Sequence, residues 1–214
     1  MKFIVMVIFA IILFCIITVS TANEYLYTIT DKRKDDIAVL TMCADECSSE
    51  CKNLLMSFGH SFFVIENISD EDISVYNYKI PAGEFATFSW WAVDKHMGIW
   101  FNIESNYINL TNRYANIECV GMYLDEQELN KLTDYMESND RYTPIYNCSK
   151  QVTKCWNYIA ETNEKIADYA IVTPEKVKQQ IMNFDEYYQK KIQLIRKICF
   201  FDGEDFISFA MEAD

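Results

Sequence analysis

"PIYNCSKQVTKCWNYIA", residues 144–160, is the stretch on which the reading of this chain turns. After Pro144 the apolar positions Val152, Cys155, Trp156 and Ile159 fall at i, i+3, i+4 and i+7, the spacing of one helical face. Cys148 extends that stripe one turn back. The spacing therefore predicts a helix with a core-facing thiol at or next to its N-cap. A thiol there lies at the positive end of the helix dipole, which favours the thiolate. Cys148 and Cys155 are about 10 Å apart on one helical face at ~1.5 Å rise per residue, too far to pair with each other. Cys148 is then either half of a longer-range disulfide or a nucleophile in need of a histidine. The chain has two histidines, His60 and His96.

Working outward, the second half of the chain reads as helical. Asp125 and Glu128 form a D-x-x-E capping box that predicts a helix over 126–138. Thr173 as N-cap with Pro174 at the first helical position predicts another over 173–181. The segment 185–201, "DEYYQKKIQLIRKICFF", is expected to be a fourth helix. The first half reads as β: "DDIAVLTM" (35–42), "PAGEFATFSWWA" (81–92), "MGIWFNIES" (97–105) and "ANIECVGMYL" (115–124). Between them, residues 60–80 read as a hairpin whose two strands flank the turn "SDED". With 5 Gly and 3 Pro, no linker and no internal repeat, residues 23–214 read as a single domain. Its part 36–124 is mainly β and its part 125–201 mainly α. That order predicts an α+β fold, an antiparallel sheet with helices packed on one side.

Residues 1–22, "MKFIVMVIFAIILFCIITVSTA", have Lys2, an apolar run and small residues at the end, the layout of a secretory signal peptide. The expected location is secreted or extracytoplasmic, with no stable membrane association once the segment is cleaved. An uncleaved anchor is the alternative. Loss of Lys2 takes the formal net charge from −13 to −14. Such acidity argues against nucleic acid as a partner, because phosphate binding needs a basic surface. An oxidising destination makes the cysteines informative. Of 8, Cys15 lies in the leader, leaving Cys43, Cys47, Cys51, Cys119, Cys148, Cys155 and Cys199. Seven is odd, so at least one is free or pairs between molecules, and sequence cannot rank the connectivities of the rest. Cys43, Cys47 and Cys51 at four-residue spacing would line one face of a short helix, and disulfides are preferred there over a metal site.

A thiol is a useful nucleophile as the thiolate, and its free pKa near ~8.5 leaves little of that form at neutral pH. A histidinium partner corrects this. His60 is the better candidate, because it heads a strand whose inward face continues through Phe62 and Val64. His96, in "DKHMG", is the lesser one.

The segments "SFGHSFFVIEN", "KIPAGEFATF", "HMGIWFNIES" and "YNCSKQVTKCWN", with "TPEKVKQQI" after them, resemble a circularly permuted papain-like thiol hydrolase. That group includes NlpC-like amidohydrolases and lecithin retinol acyltransferase-like proteins, in which histidine precedes cysteine. The resemblance covers most of residues 36–182. It implies a permuted papain-like (NlpC-like) fold, Cys148 as nucleophile and His60 as general base. Asn77, on the strand returning from "SDED", is the expected third residue, accepting a hydrogen bond from the second ring nitrogen of His60. Its alternative is an ordinary solvent-facing strand amide. Tyr146 is expected to line the cleft, and the Cys148 backbone N–H to contribute to an oxyanion hole.

No G-x-S-x-G, H-E-x-x-H, P-loop or dinucleotide fingerprint occurs, so no cofactor and no metal are expected. The expected function is cysteine-dependent hydrolysis of an amide, peptide-type bond, with a peptide or other amide-containing substrate as partner. Acyl transfer is the alternative within the same chemistry. The alternative of another class is a non-catalytic binding module with "FSWWAVDKHMGIWF" as its contact surface, although those aromatics read first as core.

Overall fold

The computed structural model describes residues 28–46, 59–93, 95–105, 117–190, 192 and 197–209. The expected signal peptide over 1–22, and Cys47 and Cys51, lie outside the described residues. The described chain is α+β. Its strands are β1 (Ala38–Asp45), β2 (His60–Asn67), β3 (Ile73–Val75), β4 (Tyr78–Ile80), β5 (Phe85–Val93), β6 (His96–Phe101), β7 (Ile117–Leu124), β8 (Tyr188–Lys190), β9 (Ile198–Phe201) and β10 (Phe206–Phe209). Its helices are α1 (Glu126–Ser138), α2 (Cys148–Ile159) and α3 (Pro174–Ile181).

Eight strands form one antiparallel sheet in the order β10-β9-β6-β5-β2-β1-β7-β8. Period-two alternation sorts its side chains. Leu40, Met42, Phe63, Phe88 and Val120 share one buried cluster with α1, α2 and α3, while Cys43, Phe62, Trp100 and Cys119 belong to a second cluster on the opposite face. The helices thus cover one face: α2 lies on β2 and β5, and α3 on β1 and β7. The stripe Val152, Cys155, Trp156 and Ile159 is buried as its spacing predicts. Truncating Trp156, wholly buried, to alanine would cost about 3–5 kcal/mol, by the precedent of core aromatics.

The helix starts follow their caps. The Asp125 side chain accepts from the Glu128 N–H and the Glu128 side chain accepts from the Asp125 N–H, the reciprocal box expected. Thr173 accepts from the Lys176 N–H ahead of Pro174.

Three expectations need correction. Cys43 sits in β1, a strand, and not on a short helix. The described residues of segment 185–201 are not helical and contribute β8 and β9. Its residues Ile198 and Phe200 face the second cluster while Cys199 faces the first, so a strand buries both sets and pairs with β6 and β10. Lastly, β2 does not pair across "SDED". The buried Asn67 donates to the carbonyls of Glu71 (2.7 Å) and Ile80 (3.0 Å) and accepts from the Ser69 N–H (3.0 Å). This turns the chain out of the sheet, and β3 and β4 pair with each other across a two-residue turn. Tyr76 (φ 49°) and Asn77 (φ 62°) supply the left-handed pair such a turn requires.

Among the described residues no helix is long and apolar enough to cross a membrane. Residues 1–27 fall outside that statement.

Candidate active site

The N-terminus of α2 meets the first residues of β2 at one end of the sheet. Asn147 caps α2: its side chain accepts from the Lys150 N–H (2.9 Å), its carbonyl takes the Gln151 N–H (3.0 Å), and its Nδ2 donates to the Val172 carbonyl (3.3 Å). The remaining first-turn donors are the N–H groups of Cys148 and Ser149. Cys148 is half-buried, less core-facing than its place on the stripe suggests, and Ser149 beside it is buried. Ser149 and Ser61 share a hydroxyl–hydroxyl hydrogen bond of 3.0 Å, which clamps the helix start to β2.

His60 follows Gly59, whose φ of 67° turns the chain into β2. Its side chain is buried, with the Trp91 ring 4.4 Å away and the Phe62 ring stacked at 5.6 Å. Cys148 hydrogen-bonds to the imidazole. The Nε2–H donates to Glu104 Oε1 at 3.0 Å, which leaves Nδ1 for the sulfur.

Glu104 is the residue that sequence reasoning missed. Asn102 (φ 60°) turns the chain after β6, accepting from the Thr87 N–H (3.1 Å) and donating its own N–H to the Thr87 carbonyl (2.9 Å). The turn places the buried Glu104 carboxylate beside the same strand. There the Thr87 hydroxyl donates to Oε2, and the Ser89 hydroxyl donates to Oε1 at 2.5 Å. Trp91 Nε1 donates to the Ser89 oxygen (2.7 Å), so the indole both covers His60 and fixes the hydroxyl that holds Glu104. A signal existed in the sequence. Thr87 and Ser89 are polar on alternate positions of an otherwise apolar strand, which calls for a buried polar partner on that face.

Asn77 is not part of this constellation. It is exposed on the β3–β4 turn, and the place expected for it against His60 is held by Glu104. His96 is elsewhere too, paired with Asp140 (3.0 Å). Tyr146 lies two residues before Cys148 with its ring beneath Arg141 (5.5 Å) and Lys154 (5.0 Å). The Tyr142 pKa is raised first by burial and then by the charge of Cys148.

The electrostatics favour an ion pair. Burial alone would lower the His60 pKa, but the Cys148 thiolate and the Glu104 carboxylate outweigh it and raise it to about 9. Burial alone would raise the Cys148 pKa. The His60 charge and hydrogen bond, the Ser61 N–H and the Ser149 hydroxyl reverse this and hold it below the usual thiol value. Glu104 is likewise lowered against burial by His60, Ser89 and Thr87, so it is a carboxylate when the imidazole is charged. Among the described residues no group of three His, Cys, Asp or Glu is arranged to hold a metal ion.

In comparisons with known proteins, no family model, no curated protein and no solved structure matches the chain.

Proposed function

We propose that the protein is a cysteine-dependent hydrolase of permuted papain-like fold that cleaves an amide, peptide-type bond. The observation that carries this reading is the series Cys148–His60–Glu104, with the thiol at a helix N-terminus and the imidazole held on its other nitrogen by a buried carboxylate. Each part serves covalent catalysis. The thiolate attacks the carbonyl carbon, a C–S bond forms and the carbonyl electron pair moves to oxygen. The Cys148 and Ser149 N–H groups, free of helix partners and at the positive end of α2, are suited to hold that oxyanion. Collapse breaks the C–N bond while the His60 imidazolium gives its proton to the leaving amine. A water then enters, loses a proton to His60 and attacks the acyl carbon, which releases acid and thiolate. An amine or alcohol in place of water would make the same site an acyltransferase. Glu104 keeps the ring orientation and stabilises the imidazolium throughout.

The contact-surface alternative loses its principal support, because Phe88, Trp90, Trp100 and Phe101 of the aromatic stretch are wholly buried. The test uses p-nitrophenyl acetate as an acyl donor. A burst of p-nitrophenol, with an acetyl group on Cys148 in the intact protein, is the expected result for the native chain and is absent in Cys148→Ala. Equal release from both proteins would contradict the proposal.

A further inference from the structure

We propose that Cys43 and Cys119 are the two halves of a cross-strand disulfide that ties β1 to β7. The two residues are directly opposed in the antiparallel ladder, and both are fully buried in the second cluster. Directly opposed residues in such a ladder have Cα atoms about 4.5 or 5.5 Å apart, and both spacings fall within the range a disulfide spans. The sulfurs stand 3.1 Å apart, so each need move by only about half an ångström to reach a bond of ~2.05 Å.

The other cysteines sharpen the assignment. Cys199 is opposed by Ser208 and Phe101 in the ladder, and Cys155 is buried on α2. Cys148 faces His60. The pair takes two of the seven cysteines beyond residue 22 and does not draw on the site thiol. Apolar packing alone does not require sulfur here, since Phe62, Val64 and Ile117 line the same patch without it.

The step needs an oxidant, a small disulfide RSSR such as glutathione disulfide or the disulfide form of a thiol oxidoreductase. The Cys43 or Cys119 thiolate attacks RSSR, and a mixed disulfide and one RS⁻ result. The second thiolate then attacks the protein sulfur, forms the Cys43–Cys119 bond and expels a second RS⁻, so two thiols are oxidised and one RSSR becomes two RSH. Burial excludes RSSR from the closed fold, so the bond forms as the sheet closes. Once made, it holds the β1–β7 register, which a one-residue slip would otherwise turn inside out. β1 also pairs with β2 up to the Asp45–His60 position, so the bond would tie β7 to the strand that lies beside His60.

The test refolds the full chain with reduced and oxidised glutathione, alkylates free thiols with iodoacetamide under denaturing conditions, and maps a non-reduced digest by mass spectrometry. A linked peptide pair containing Cys43 and Cys119, with Cys148 alkylated, is expected. Alkylation of both Cys43 and Cys119, or a link from either to another cysteine, would overturn the proposal. Closing a loop of this length is expected to raise Tm by about 10 °C relative to the protein treated with dithiothreitol. The Cys43→Val/Cys119→Val chain should lose that dithiothreitol-sensitive shift, and its persistence would count against the pair.

Discussion

The molecule holds two histidine–carboxylate pairs of the same length, and they do different things. His60 to Glu104 and His96 to Asp140 are both 3.0 Å. The His60 and Glu104 side chains are 3% and 0% exposed, against 18% and 13% for His96 and Asp140. The decisive difference is the far side of the ring. His60 has a thiol at a helix N-terminus, whereas His96 stacks flat on Phe200 at 4.8 Å and 6°. Asp140 is also occupied, accepting from the Ile99 N–H (2.6 Å) and the Tyr76 hydroxyl (2.7 Å). Gly98 makes room, since a Cβ there would stand 2.0 Å from Asp140 Oδ1. The Tyr142 N–H donates to the Met97 carbonyl (2.8 Å) just beyond. The His96 pair is therefore a latch that fastens the connection between α1 and α2 to β6. A histidine–acid pair becomes a site when a nucleophile completes it, and a strut when packing does.

The largest expected effect separates the two pairs. His60→Ala should lower the rate of Cys148 acylation by about 10²–10⁴-fold, the usual worth of a positioned acid–base group. His96→Ala should leave that rate within a few-fold while destabilising the fold by about 1 kcal/mol, because Asp140 loses a half-buried partner. Acylation kinetics beside a urea melt of each variant would break the comparison if His96→Ala gave the kinetic loss.

Glu104→Gln comes next. The amide oxygen can still accept from Nε2–H, but the charge that supports the imidazolium is gone. On the proposed mechanism the native site works with thiolate and imidazolium both present. Its rate should rise as Cys148 ionises at its lowered pKa and fall as His60 loses its proton near pH 9. The variant should be about 10–100-fold slower, with the alkaline limb moved down from pH 9. The same shift carries a stability consequence. A histidine raised from about 6.5 to about 9 contributes stability fully below pH 6.5, and loses it as pH rises through 9. The Tm of the native chain should fall across that window more than the Tm of His60→Ala.

The smallest effect sharpens the correction made at the third residue. Asn77→Ala should leave acylation and its pH profile unchanged, and cost about 1 kcal/mol through its left-handed backbone. A kinetic loss as large as that of Glu104→Gln would return Asn77 to the site.

What the sequence showed follows from the range of the forces involved. The capping box of α1, the Thr173–Pro174 start of α3 and the apolar stripe of α2 are local, and they were legible to within a residue. His60 and Cys148 were legible because one heads a strand and the other a helix. The pairing of strands was not. In the order β6-β5-β2-β1-β7 the pairing of β1 with β7 joins segments far apart in sequence, and the bond from Asn67 to Ile80 that breaks the expected hairpin depends on burial. In segment 185–201, expected as a helix, Tyr188–Lys190 pairs with β7 and Ile198–Phe201 with β6 and β10, partners that neighbouring sequence does not reveal. Glu104 comes from 44 residues beyond His60, so neighbouring sequence could not announce it.

The most direct test of the central claim is the rate of iodoacetamide alkylation of Cys148 against pH, with the adduct located by mass spectrometry, in the native chain and in His60→Ala. If the ion pair carries the chemistry, native Cys148 labels rapidly well below pH 8, and the variant labels only as pH approaches the free-thiol value near ~8.5 or beyond. The same pH dependence in both proteins, or a Cys148 already bridged to another cysteine, would contradict it.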